Sequence, residues 1–211
     1  MIISVLNQKG GVGKTTLSIH IASALALMNK SVLLIDADTQ RSALDWAATR
    51  QKDALFNVAG ISSASIHREV RLFRPRYDFI IIDGPPRIHD VARAIIATSD
   101  LILIPAQPSP YDIWAADEIV KLIKEVKETL QDLKKIDAAF VINRKIKNTV
   151  ISREVSEALS NYDLPVLTST LHQRVTFAET AAQGSSAVEE EPTSPAAQEI
   201  NALITEILNR V

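Results

Sequence analysis

Lys9-Gly10-Gly11-Val12-Gly13-Lys14-Thr15-Thr16 is the stretch on which the reading of this chain turns. It follows the apolar run Ile2-Ile3-Ser4-Val5-Leu6 and precedes a helical pattern from Leu17 to Met28. A strand that enters a glycine-rich turn and leaves it as a helix is the context of a phosphate-binding loop. Glycine lets the backbone wrap a polyphosphate with no Cβ in the way. The N–H groups at the helix start, and the helix dipole, favour the anion. In that reading Gly10, Gly11, Val12, Gly13, Thr15 and Thr16 cradle the phosphates, Lys14 reaches the β- and γ-phosphates, and the Thr15 hydroxyl ligates Mg²⁺. The loop departs from the usual pattern at its start. The glycine expected five residues before Gly13 is Gln8, and a second lysine, Lys9, follows it.

Working outward, apolar runs recur at Ser31–Asp36, Asp78–Asp83, Leu101–Ile104, Ala138–Ile142 and Pro165–Leu167. They are continuous rather than alternating, which marks parallel strands buried on both faces. Helical periodicity separates them. Ile119, Leu122, Ile123, Val126, Leu130 and Leu133 share one face of a helix from about Ile113 to Lys134, and Ile200, Leu203, Ile204, Ile207, Leu208 and Val211 share one face of the last segment. The pattern predicts an α/β fold, a three-layer sandwich with a mostly parallel central sheet, joined by right-handed crossovers. Gly184 to Pro195 is the least regular part and reads as a surface loop.

The 211 residues, 46% hydrophobic, suit one domain spanning 1–211. The absence of cysteine excludes disulfides, thiolate zinc sites and cysteine-held iron–sulfur clusters. A formal net charge of −2 gives no global pull toward nucleic acid, so DNA binding needs a local basic patch or an oligomer. No signal peptide and no transmembrane run is visible, and a cytoplasmic location is expected.

Ligands of open parallel sheets bind beyond the carboxyl ends of the strands. The second run ends there in Asp36-Ala37-Asp38 and the third in Asp83-Gly84-Pro85-Pro86. Asp83 fits a Walker B carboxylate, delivered by an apolar strand to a largely hydrated Mg²⁺. Asp36 and Asp38 lie two apart in an extended segment, which points both side chains the same way. One supports the magnesium shell or Lys14, and the other positions the attacking water.

Together with Asp36-Ala37-Asp38-Thr39-Gln40 and Ile82-Asp83-Gly84-Pro85-Pro86, the opening stretch resembles the deviant-Walker ATPases related to ParA and MinD. Pro108-Ser109-Pro110-Tyr111-Asp112, Val141-Ile142-Asn143-Arg144 and Pro192-Thr193-Ser194-Pro195 extend the resemblance along the chain. It implies a P-loop ATPase of the deviant type, with ATP and Mg²⁺, that forms a homodimer in the ATP state. Lys9 would then reach the phosphates held by the other subunit. Asp38 would position the hydrolytic water, while Thr15, Asp36 and Asp83 serve the metal. Asn143 resembles an adenine-contacting residue, and by residue type alone it serves equally as a helix N-cap. Thr39 stands where the family commonly has proline, which alters the stiffness of the loop carrying Asp38.

Within that family, the missing cysteines exclude iron–sulfur reductases. The last helix has Glu199, Asn201, Glu206 and Asn209 beside a single Arg210, unlike a basic membrane-surface helix, so its stripe is assigned to the core and no stable membrane association is expected. The sequence opens on the first strand, so an N-terminal DNA-binding extension is not expected. The resemblance therefore implies a small, nucleoid-associated partition ATPase. It would segregate plasmid or chromosomal DNA, or position another cargo, through nonspecific DNA and a ParB-like or other adaptor. The alternative is a MinD-like ATPase at a membrane surface. Candidate DNA contacts are Arg144, Lys145 and Lys147, then Arg174, then Arg68, Arg71, Arg74 and Arg76. His172 has no partner identifiable from sequence.

Overall fold

The computed structural model describes residues 1–86, 89–130, 133–146 and 150–210. Six strands form one sheet in the order β3-β2-β4-β1-β5-β6. They are β1 (Ile2–Val5), β2 (Val32–Asp36), β3 (Asn57–Gly60), β4 (Phe79–Asp83), β5 (Leu101–Ala106) and β6 (Asp137–Ile142), and every pairing is parallel. Side chains alternate across a strand, and the core divides accordingly. Ile2, Ile80 and Ile82 face one layer, with α3 (Ile66–Phe73), α4 (His89–Thr98), α5 (Pro110–Leu130) and α6 (Val150–Leu159). Ile3, Val5 and Ile81 face the other, with α1 (Lys14–Leu27), α2 (Ser42–Thr49) and α9 (Pro195–Asn209). The expected three-layer α/β sandwich is the observed one.

Helix α1 carries no polar face. Leu17 through Leu25 are all buried, because the sheet lies on one side and α2, α9 and the short α8 (Ala187–Glu190) lie on others. Helix α9 sets Ile200, Leu203, Ile204 and Ile207 into the core, as its periodicity predicts. Val211, expected on the same stripe, lies outside the described residues.

The structure departs from the sequence reading at four places. Edge strand β3 was not foreseen, because Asn57–Gly60 is short and only partly buried and shows no apolar run. The run Pro165–Leu167 makes a single isolated parallel bridge, Val166 to Phe140, beside β6 rather than a full strand. Gly184–Pro195 is not a surface loop: Ser185, Ser186, Ala187 and Val188 are buried. A bidentate Arg50–Glu189 pair at 2.6 and 2.9 Å, the Trp46 indole N–H on Ser185 O at 3.0 Å, and the Ala187 N–H on His20 Nε2 at 3.1 Å tie it to α1 and α2. Helix α5 begins at Pro110, three residues earlier than periodicity placed it, since proline suits the first helical turn.

Candidate functional site

The sheet order places chemistry at one rim. Val5, the last residue of β1, pairs with Asp83, and Asp83 pairs with Asp36. Crossovers from β1 to β2 and from β4 to β5 leave in opposite directions, so the loops after β1 and β4 open the crevice where ligands of such sheets bind. The phosphate loop fills that crevice. Gly11 and Gly13 take φ of 73° and 94°, and a Cβ on Gly13 would sit 2.3 Å from Asn143 Nδ2. Lys14 folds back to donate to Lys9 O at 3.1 Å. Burial lowers its ammonium pKa, against the opposing pull of Asp83 and Asp38.

Thr15 Oγ1 donates to Asp83 Oδ2 at 2.6 Å. Asp83 is 1% exposed, and burial pushes its carboxyl up to about 7; Asp36 and Asp38 push the same way, while the Thr15 hydroxyl and Lys14 oppose. A buried carboxylate this short of positive charge, beside a threonine hydroxyl, fits an oxygen-seeking divalent cation. Among the described residues no group of three or more His, Cys, Asp or Glu forms a metal cage. Mg²⁺ needs none, since it takes one or two protein oxygens with water and phosphate.

The two aspartates after β2 do not act alike. The strand ends at Asp36, so its alternation does not extend to Asp38. Asp36 is buried: Oδ1 accepts the Asp38 N–H at 3.1 Å, and Oδ2 accepts the N–H groups of Ala43 and Leu44 at 2.9 and 3.1 Å. It thereby caps α2 and shapes the loop. Burial raises its carboxyl pKa, against those same bonds. Asp38 lines a cavity of about 580 Å³ with Gly13, Lys14 and Thr15, while its Oδ1 accepts the exposed Gln40 N–H at 3.0 Å.

Lys9 is engaged within its own chain. Its Nζ lies 2.6 Å from Oδ2 of Asp112, a fully buried carboxylate in the first turn of α5, whose Oδ1 accepts the Gln107 N–H. Gln107 Nε2 in turn donates to Gly11 O at 3.0 Å, and Asn7 Oδ1 accepts the Lys9 N–H at 2.9 Å. The roles of Asn7, Gln107 and Asp112 were missed in sequence. For Asp112 the sequence offered only its place at the end of the motif Pro108–Asp112, with no role attached.

Asn143 follows β6. Its Nδ2 donates to Val12 O at 2.7 Å and its Oδ1 accepts the Arg144 N–H, so it braces the phosphate loop. A second cavity, of about 1040 Å³, opens beside it between Arg144, Ile146, His172 and Val175. His172 does have a partner: its Nδ1 donates to Glu199 Oε1 at 2.8 Å. Arg174 is paired with Glu199 and Arg74 with Asp100. Arg144 is exposed at φ 53° and lines both cavities. Lys147 lies outside the described residues.

Comparison with known proteins agrees with this geometry. The sequence profile of the CobQ/CobB/MinD/ParA nucleotide binding domain matches residues 3–188. The chain is 30% identical over 210 residues to the maintenance of carboxysome distribution protein A of Halothiobacillus neapolitanus, covering 98% of this chain and 95% of that one. It is 24% identical over 239 residues to the chromosome-partitioning ATPase Soj of Thermus thermophilus, covering 99% and 96%. The MinD cell division protein of Aquifex aeolicus superposes with a TM-score of 0.79 at 22% identity, covering 99% and 97%, a likeness of fold. The phosphate loop, the paired Thr15 and Asp83 and the match along nearly the whole chain lead to one conclusion: this chain belongs to the CobQ/CobB/MinD/ParA nucleotide-binding domain family.

Proposed function

We propose that the chain is an ATP-hydrolysing switch that dimerises around ATP and positions a cargo. The cargo is plasmid or chromosomal DNA or another large assembly, moved over nonspecific DNA and released by an adaptor. The observation that carries this reading is Lys9, a second lysine at the mouth of a phosphate loop already organised by Lys14 and by the Thr15–Asp83 bond. Mg²⁺, when bound with the nucleotide, would neutralise charge that develops on phosphoryl transfer. Thr15 and Asp83 would hold it, with Asp36 in support through its remaining acceptor capacity. Asp38 orients the attacking water. Asn143, which lines the second cavity, would contact the base.

Lys9 acts in trans, as a cation supplied to the partner's phosphates. In the single chain it is docked on Asp112, so dimer formation must replace that ion pair with phosphate. This keeps the lysine occupied until ATP and a second copy are both present. The name of the relative matched over 98% of the chain supports a cargo other than DNA, and Soj supports DNA. Nothing in α9 favours a membrane-surface reading, since its apolar face is in the core and Glu199 and Glu206 are engaged within the chain.

Sedimentation with Mg²⁺-ATP and with Mg²⁺-ADP, alongside phosphate release, tests the switch. A dimer in ATP alone, with slow turnover, is the expected result; a monomer in both, without turnover, overturns the reading. Salt-sensitive DNA binding confined to ATP separates DNA-borne positioning from binding to anionic vesicles.

A further inference from the structure

Helix α9 lies far along the chain from the phosphate loop, yet it reaches the second cavity through one carboxylate. Glu199, whose side chain is 16% exposed, accepts four hydrogen bonds. The donors are His172 N–H at 3.0 Å, His172 Nδ1 at 2.8 Å, Arg174 Nε at 3.3 Å and Arg174 Nη2 at 2.5 Å. Two turns further on, Glu206 accepts the N–H groups of Thr168 and Ser169 at 2.8 and 2.7 Å. These glutamates pin the segment 168–174 against the edge of the sheet. That segment is one wall of the cavity. The chain from Asn143 to Ile146 runs beside it and continues the same wall, the two stitched together by Leu171 N–H on Ile142 O, Lys145 N–H on Leu171 O and Gln173 N–H on Lys145 O. Gly13 and Thr16 form its floor, so the cavity continues directly from the phosphate loop. Ile146 and Val175, 56% and 70% exposed, give it apolar flanks suited to the faces of a planar base.

We propose that Glu199 is a positioning residue for the nucleoside half of the site: it holds His172 and Arg174, and through them sets affinity for the base without touching the phosphates. The proposal rests on the nucleotide reading above and adds to it the residue that shapes base recognition. Removing the carboxylate frees the Arg174 guanidinium and unpins His172, which loosens one wall while Lys14, Thr15 and Asp83 stay as they are. A group that merely stabilised the fold would weaken every ligand alike.

Calorimetric titration of Glu199→Gln and of Glu199→Ala with Mg²⁺-ATP, and separately with inorganic triphosphate and Mg²⁺, distinguishes these outcomes. ATP affinity is expected to fall about tenfold, the scale of losing charged hydrogen bonds, with triphosphate affinity held within about twofold. Glu199→Gln keeps the shape of the side chain and carries the test if Glu199→Ala does not fold. Equal losses for both ligands, or no loss for either, overturn the proposal. A wild-type chain that binds triphosphate but not ATP overturns the proposal together with the nucleotide reading, whereas a wild type that binds ATP and a variant that binds it equally well overturns the proposal alone.

Discussion

At Gly13 backbone and side-chain constraints coincide: φ is 94°, and any Cβ would press to 2.3 Å of the Asn143 amide that braces Val12. Gly13→Ala is therefore expected to cost about 2 kcal/mol of stability and to abolish ATP binding, read by urea denaturation and calorimetry; retained binding would show that the loop tolerates a shifted Asn143. His20 offers a second residue-scale test. It is 1% exposed, with Nδ1–H donated to Thr16 O and Nε2 accepting the Ala187 N–H, so its neutral ring is fully satisfied. Burial holds its pKa down at about 4, against the opposing bond to Thr16. The unfolded chain thus takes up a proton before the folded one does, and the contribution of His20 is complete above the unfolded pKa and is lost as pH falls toward 4. Between about pH 7 and pH 5 the wild type should lose about 2 kcal/mol more than His20→Gln. Asp83, raised to about 7, gains stability over the same interval, but it does so in both proteins and cancels from the difference. Parallel stability profiles for the two proteins would refute the assignment.

At the scale of elements, α8 shows how a short helix survives on long-range ties. Its four residues are too few to hold a helix by themselves. Arg50, at the end of α2, grips Glu189 with both ends of its guanidinium and reaches Gly184 O at 3.1 Å, with side-chain exposures of 7% and 12% for the pair. Breaking a buried pair from one side leaves an uncompensated charge, so Arg50→Ala is expected to cost about 3 kcal/mol. Hydrogen exchange should accelerate first at the amides of Glu189 and Glu190, which bond to Ser186 O. A loss below about 1 kcal/mol would place the pair with ordinary surface bridges. The same logic explains β3, whose half-buried residues are held by pairing with Leu33–Asp36 and not by their own hydrophobicity.

At the scale of the molecule, the parallel sheet collects residues from β1, β2, β4 and β6 at a single rim, with the partly exposed Lys9 beside it and Asp38 lining the cavity. On the proposal that Lys9 acts on the partner's phosphates, Lys9→Ala is expected to leave ATP affinity within about threefold and to remove the ATP-dependent dimer. Asp38→Ala is expected to hold the ATP dimer together while turnover falls about a hundredfold or more. Sedimentation and phosphate release read both. A Lys9→Ala protein that still dimerises in ATP would end the trans assignment, and unchanged turnover would remove Asp38 from the chemistry.

The sequence by itself determined what is carried by contiguous residues. The phosphate loop was legible because its glycines, lysine and threonine lie within eight positions and need only a strand before them and a helix after. The sheet was legible because strands buried on both faces must be apolar throughout, and Asp83 because such a strand ends in it. Tertiary structure alone decided the rest. Asp36 and Asp38 look equivalent in sequence, and only the approach of α2 turns one into a cap and leaves the other facing the cavity. Lys9 could not announce Asp112, 103 positions away, nor could His172 announce Glu199, 27 positions away. Those pairings depend on which elements the sheet brings side by side, and a hydrogen bond across such a distance leaves no periodicity in the chain to read.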